Sequence, residues 1–425
     1  MSVAPRALQR VRQFSLWQPL QTRNFRLLWI GESISLLGDQ FHFVALSWLT
    51  LQLTGSGLAL GTVLMAASIP RAIFMLVGGA VSDRLSPRGL MLVSNAARAA
   101  FVAALTGLIV QDAIQLWHLY VLAVAFGVVD AFFHPAFMTM VPALVDKDRL
   151  EPGNALLRGT AQLSVLLGPA PAGLLIATVG LAAAFAIDAV SFLVATVTLA
   201  LMTGVGRPAS ASAGGTGAPA DSHRADGLLD SIRAGLSYAW SDPVIRAMLF
   251  IVAAVDFAFV GPFNVGLASL ADHRFVGGSV AFGAMLSTWG AGALLGTLVA
   301  GSIGQPRRRG RLMLAVVSVL GVGLASLGIA PNVVLACMVI GAIGMGSGFV
   351  NVILIAWLQA RTESKMLGRV MSLVMLASLG LAPISYALAG ALVDLHATLV
   401  FAVAGAIVLT ATVLSAANQT VRSID

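Results

Sequence analysis

Eight charged side chains lie inside stretches that are otherwise apolar: Glu32, Asp39, Arg71, Arg98, Asp130, Arg158, Asp188 and Asp256. A charge at the centre of a lipid-embedded helix costs about 2.5–3.5 kcal/mol on insertion scales, so each needs a partner, water or a function. With a rise of about 1.5 Å per residue, Asp39 lies ~20 Å above the start of the first stretch, and Arg71 lies ~20 Å below the outer end of the second. Adjacent antiparallel helices would let these two form an ion pair. Protonating Asp39 would then release Arg71, which is what a proton-coupled switch requires; a static pair holding two helices together is the alternative. Glu32 and Asp39 are seven apart on one helix face, with His42 a turn further on. That stripe suits a cavity wall or a proton path. In the plainer reading, Glu32 is solvated at the cytoplasmic mouth and His42 is a hydrogen-bonded packing residue, which is the expectation for His42.

Asp130 and His134 are spaced i,i+4, close enough to relay a proton, bind a cation or simply join two helices. Two ligands do not make a zinc site, and no metal is expected. Asp256 is the one embedded charge of the C-terminal half and has no basic neighbour in sequence. It is expected to be protonated, to face water, or both, and is a second coupling candidate. Asp188 is expected ~10 Å below the outer surface. Arg98 and Arg158 fall within snorkelling reach of the cytoplasm, and all three are read as mainly structural. Aromatic residues at similar depth (Phe41, Phe43, Trp48, Phe132, Phe133, Phe257, Phe259, Phe263, Trp289 and Trp357) could form an adaptable apolar pocket, but most are expected to face lipid or neighbouring helices.

These charges stand out because the chain has so few. Of 425 residues, 58% are hydrophobic and 10% charged, against about 25% charged in an ordinary globular chain. A water-soluble protein of this length could not cover its surface with so few polar groups. Twelve stretches meet the requirement of about 20 apolar residues for a transmembrane helix. They are 25–51, 58–81, 89–110, 116–140, 155–178, 181–203, 244–270, 279–303, 311–330, 332–358, 367–392 and 395–416. Turn chemistry separates them at Gly55-Ser56-Gly57, Ser86-Pro87-Arg88-Gly89, Gly180, Gly277-Gly278 and Pro331-Asn332. No segment before Leu27 reads as a signal peptide, because the first apolar run is too long and carries Glu32 and Asp39.

The formal charge of +7 raises the question of nucleic acid, and its distribution answers it. With the N-terminus inside, 21 of the 25 Lys and Arg fall in cytoplasmic loops and ends, one (Arg274) in an outer loop and three within spans. The excess is a topology signal, predicting an even number of helices and both termini in the cytoplasm. Cys337, the one cysteine, lies in an apolar run, which leaves no disulfide framework. A bacterial origin fits the Arg-heavy, Ala- and Gly-rich composition, and the inner (plasma) membrane is the expected location.

Between the sixth and seventh spans, residues 204–243 are rich in Ala, Gly, Ser and Pro and then turn charged and amphipathic. This segment reads as a cytoplasmic linker ending in a short interfacial helix. The expected organisation is a cytoplasmic arm (1–24), a six-helix bundle (25–203), the linker (204–243), a second six-helix bundle (244–416) and a cytoplasmic tail (417–425). Two such halves are the layout of transporters built from parallel repeats. Gly344-x-Gly346-x-Gly348 sits inside an apolar helix with no preceding strand, so helix packing is expected there rather than a nucleotide loop. Walker A, His-Glu-x-x-His and nucleophile-elbow motifs do not occur. Neither an enzyme nor a cofactor is expected.

The run Gly78 to Arg88, GGAVSDRLSPR, resembles the loop between the second and third helices of the major facilitator superfamily. Gly79, Asp83, Arg84 and Arg88 match its pattern, and Ser86 and Pro87 depart from it. The resemblance implies a cytoplasmic latch in which Asp83 caps a helix of the other half near Gly368-Arg369. Ser164 to Gly173, SVLLGPAPAG, resembles that superfamily's antiporter motif, with Gly168, Pro169 and Gly173 matching. Glycine and proline there would kink and thin the helix, and in the family the motif goes with export. Further stretches, NFRLLWIGESISLLGDQ, IPRAIF, HPAFMTMVPALVDKDRLEPGNAL and GRVMS, are similar to the enterobactin and macrolide exporter branch.

The expected fold is all-α and membrane-integral, with twelve transmembrane helices in two six-helix bundles. The expected function is proton-coupled efflux of a small amphipathic molecule, such as a drug, a macrolide-like compound or a siderophore, by alternating access. The expected partners are that substrate, protons and the lipid bilayer, with the chain acting as a monomer and without nucleic acid. An uncoupled facilitator or lipid flippase of the same fold is the nearest alternative, and a non-transporting sensor or membrane enzyme a remoter one. The candidates for coupling or substrate are Asp39, Arg71, Asp256, Asp130, His134 and Glu32.

Overall fold

The computed structural model describes residues 16–82, 85–204, 237, 240–303, 309–362 and 364–417. Among these every regular element is helical. The long helices are α1 (Arg23–Thr54), α2 (Gly57–Ser82), α3 (Pro87–Val110), α4 (Leu116–Leu144), α5 (Leu150–Leu167), α6 (Pro169–Thr178) and α7 (Leu181–Ala200). They continue with α8 (Pro243–Gly261), α9 (Leu267–Arg274), α10 (Ser279–Ile303), α11 (Arg309–Leu327), α12 (Val333–Arg361), α13 (Ser364–Leu395) and α14 (Ala397–Ala417). Helices α5 and α6 together make one span, and α8 and α9 make another through a π-helical turn at Pro262–Gly266. Among the described residues eleven stretches are long and apolar enough to cross a membrane. The twelfth, α1, has 32 residues and misses that apolarity because Glu32, Asp39, Gln40 and His42 interrupt it. Ile73, Val93, Val121, Val179 and Val319 are each at least 60% exposed, a surface suited to lipid rather than water. The chain is an all-α, multi-pass membrane protein.

The helix boundaries follow local chemistry. Ser86 caps α3 by accepting the Gly89 N–H at 3.1 Å, and Pro87 occupies the first helical position, where its missing N–H costs nothing. The two residues that depart from the loop motif are thus the start signal of α3. Asn332 caps α12 through the Leu335 N–H at 2.9 Å. Gly180 joins α6 to α7 at φ +111°, a conformation open to glycine.

By contact the chain forms two compact units. One comprises Met1–Ala45 with Ile69–Gly214, the other Leu46–Ser68 with Gly215–Asp425. The core of the first is built from Phe25, Leu28, Met91, Phe133, Met140 and their neighbours. Ile245, Met248, Met313, Trp357 and Val370 anchor the core of the second. Within that second unit α10 lies close against α12. A Cβ at Gly292, Gly296, Gly344 or Gly348 would run into the facing helix's backbone, while Gly346 faces Leu320 and Val316 of α11. Small residues spaced four apart permit this approach, so the Gly344-x-Gly346-x-Gly348 run is a packing stripe.

Residues 46–54 of α1 and 57–68 of α2 belong to the second unit. Asp394, near the end of α13, accepts the Gly57 N–H at 2.6 Å, the Leu58 N–H at 3.2 Å and the Ser56 hydroxyl at 2.6 Å. A carboxylate from a distant helix therefore caps the N-terminus of α2, where the helix dipole favours negative charge.

Candidate functional site

In the first unit the embedded charges converge. Glycines control how closely α1 approaches α7. A Cβ on Gly31 would strike Thr198, and one on Gly38 would stand 2.6 Å from the Ser191 Cβ and 2.9 Å from Asp188 Oδ1. The next residue after each glycine is an acid, Glu32 and Asp39, so the same seven-residue spacing sets both the contact and the charges. His42 Nδ1 lies 2.9 Å from Asp188 Oδ2, an ion-pair separation without hydrogen-bond alignment. Asp188 is fully buried, and the His42 ring stacks on Phe126 at 4.8 Å.

Asp130 of α4 is held by two guanidiniums. Arg98 of α3 makes a short hydrogen-bonded pair with its Oδ1, and Arg71 of α2 stands 3.8 Å from its Oδ2. The Arg98 side chain is 6% exposed and its guanidinium carbon lies 4.4 Å from the centre of the Phe133 ring, a cation–π arrangement. Glu32 is buried within the field of Arg98. Asp39 lies within electrostatic reach of Asp188, Arg98, Asp130 and Glu32, yet makes no hydrogen bond or ion pair among the described residues. His134 is half-buried in the fields of Arg71, Asp130 and Arg98.

Several expectations change here. Arg71 pairs with Asp130 and not with Asp39. Asp130 is taken by the two arginines, and His134 forms no ion pair with it among the described residues. Arg98, read as snorkelling, is buried and central. Asp188 stands against His42, a contact compatible with the structural role expected of it. Helix rise carries the signal: at ~1.5 Å per residue, Arg71 lies ~16 Å from the Ser82 end of α2, Arg98 ~16 Å from the Pro87 end of α3 and Asp130 ~21 Å from the Leu144 end of α4. Arg158 is exposed, as its position suggested.

The two motif regions can be placed in part. Gly168 separates α5 from α6, and Pro169 opens α6. A Cβ at Gly168 would meet the side chain of Gln40 at 2.6 Å, so the break lies against α1 one residue from Asp39. Gly173 is buried in α6. Gly79 lies within α2, and its neighbour Gly78 packs against the Ala131 backbone of α4. Arg88 donates from Nε to the Leu199 carbonyl and from a terminal nitrogen to that of Ala200, both at 2.8 Å. It thereby satisfies the last carbonyls of α7. Asp83 and Arg84 lie outside the described residues, as do the arm up to residue 15, linker residues 205–236 and the tail from residue 418.

In the second unit, Asp256 of α8 accepts a short hydrogen bond from the Ser378 hydroxyl of α13. Both line a cavity of about 330 Å³ with Phe259, Trp289, Ser347 and Asn351, the rest of the wall being mainly aliphatic and Met side chains. Phe259, Phe263 and Trp289 form an aromatic group with ring centres 4.9–6.0 Å apart. Ser385 enters the hydrogen-bond ladder of α8, accepting the Gly261 N–H at 2.8 Å and donating to the Phe257 carbonyl at 2.5 Å. An inserted hydroxyl of this kind bends a helix, here directly before the π-helical turn and beside the aromatic group. Among the described residues no three His, Cys, Asp or Glu are grouped to hold a metal ion.

Residues 14–425 match the model of a family described as transmembrane secretion effector, one of the major facilitator groups. The chain belongs to this family. Among its relatives, the multidrug efflux pump Tap of Mycolicibacterium fortuitum is 28% identical over 372 residues, covering 85% of this chain and 88% of that one. Macrolide efflux protein A of Streptococcus pyogenes is 23% identical over 357 residues, covering 82% and 84%. A crystal structure of a POT family transporter superposes with a TM-score of 0.70 at 13% identity, covering 94% of this chain and 97% of that one. That last likeness concerns the fold alone. The chain is a transmembrane transporter of the major facilitator class.

Proposed function

We propose that the chain is a proton-coupled exporter of small amphipathic molecules, working as a monomer by alternating access in the bacterial inner membrane with both termini cytoplasmic. The export direction is supported by the relatives, whose names describe efflux of multiple drugs and of macrolides. Proton coupling is supported by one observation, the charge balance of the first unit. Four carboxylates (Glu32, Asp39, Asp130, Asp188) share one embedded cluster with two guanidiniums (Arg71, Arg98). Four minus two leaves two negative charges, which protons on a carboxylate, His42 or His134 can offset. Asp39, the acid without a direct partner, is the proton carrier in this reading, and the Arg71–Asp130–Arg98 group responds to its charge. One charge crossing 100 mV supplies about 2.3 kcal/mol, enough for a gradient of roughly forty-fold.

The organisation proposed is two six-helix bundles, 25–203 and 244–416, joined by a cytoplasmic linker. The test uses inverted vesicles with an imposed pH gradient, an acridine pH dye and a macrolide as the added compound. The wild-type chain dissipates the gradient on macrolide addition and Asp39→Asn does not. Coupling retained in Asp39→Asn removes Asp39 from the mechanism. Macrolide movement insensitive to a protonophore replaces the exporter by an uncoupled facilitator or flippase.

A further inference from the structure

We infer that the cavity of the second unit is a binding site for a lipophilic aromatic monocation, with Asp256 as its counter-ion. The inference rests on the exporter reading and gives its substrate a chemistry. A space of about 330 Å³ falls at the small end of the range for drug-sized ligands. Asp256 is the one acid among the described lining residues, which include no Lys, Arg or His. In the first unit Glu32, Asp39 and Asp130 lie within the field of Arg98, and Asp188 stands against His42; Asp256 has a serine. Ser378 engages Oδ2, and Oδ1 has no partner among the described residues. A carboxylate left with one neutral donor inside an apolar wall is a poor site for an anion and a favourable one for a cation, since the low local dielectric strengthens the attraction.

The rest of the wall selects the body of the ligand. Phe259 and Trp289 offer ring faces on the same cavity, which attract both aromatic groups and positive charge. Trp289 Nε1 is buried with no hydrogen-bond partner among the described residues. A buried indole N–H ordinarily finds an acceptor, and a ligand carrying a carbonyl or ether oxygen would supply one. Met248, Met313 and Met371 add flexible, polarizable surface that tolerates different shapes. A single charge is implied because a second one would find no counter-ion on the described wall.

The probes are radiolabelled tetraphenylphosphonium, a permanent aromatic monocation, and triphenylphosphine oxide, a neutral molecule of related shape. Both are measured by equilibrium dialysis on the purified full chain in lipid nanodiscs, without any gradient. The wild-type protein should bind the cation at least tenfold more tightly than the oxide. Asp256→Asn, which keeps a partner for Ser378, should lose at least tenfold for the cation and stay within twofold for the oxide. Trp289→Leu should weaken both. Equal wild-type affinities, no cation binding, or an Asp256→Asn change of the same size for both probes overturns the proposal. Because dialysis needs no proton gradient, the site can stand when vesicle coupling fails, and coupling can stand when the site fails.

Discussion

At the scale of single residues, Arg98 is the side chain on which the first unit depends most. It joins Asp130 to the Phe133 and Phe192 rings, and its own charge is almost fully enclosed. Removing one partner of a buried ion pair costs about 3–5 kcal/mol because the other charge is stranded. Asp130 is about one-third exposed and keeps Arg71 at 3.8 Å, so Arg98→Ala should cost near the lower end, about 3 kcal/mol. Thermal unfolding of the purified protein should show that loss, and Arg98→Ala with Asp130→Ala should recover a large part of it. A double variant as unstable as the sum of the two singles would mean the pair is not coupled. His42 and Asp188 extend the same logic. Asp188→Asn leaves His42 without its ionic partner, and should reduce stability without affecting the Asp256 cavity, measured as unchanged tetraphenylphosphonium binding.

Helices show how far sequence carries and where it stops. Gly38 lets α1 reach Ser191 and Asp188, so Gly38→Val should destabilise the protein by about 1–3 kcal/mol through overpacking. Pairing Gly38→Ala with Ser191→Gly should restore much of the stability of Gly38→Ala alone; no recovery would show that the helices do not meet there. Asp394→Ala removes three hydrogen bonds and the anion at the start of α2. A drop of about 1–2 kcal/mol in unfolding free energy is expected, with Asp394→Asn losing less. The spans, turns and Gly344-x-Gly346-x-Gly348 stripe were legible because hydropathy, turn residues and small-residue spacing are local properties. The Arg98–Asp130 pair is not legible in sequence because snorkelling reach is a property of one helix, whereas pairing depends on which helices are neighbours. The cap by Asp394 lies more than 330 residues away in sequence, and no local pattern announces it. The pairs Gly31-Glu32 and Gly38-Asp39 were a usable signal, since a small residue repeated every seven beside an acid marks both contact and charge.

For the whole molecule, the two units carry different chemistry. The first holds a charge cluster with more acids than bases, and the second holds an apolar cavity with one carboxylate and an aromatic wall. Proton handling and substrate handling are therefore assigned to different side chains, and variants should separate them. Asp256→Asn should weaken tetraphenylphosphonium binding while leaving the pH response to a neutral substrate intact, and Asp39→Asn should abolish the pH response while sparing tetraphenylphosphonium binding. The membrane-facing surface, with large aliphatic side chains on the outside, makes the bilayer part of the working protein, so such experiments belong in lipid. The central claim is that proton flow through Asp39 drives export. Its most direct measurement is macrolide-dependent dissipation of an imposed pH gradient in inverted vesicles, wild type against Asp39→Asn. The account predicts dissipation in the wild type and none in the variant, and equal dissipation in both would contradict it.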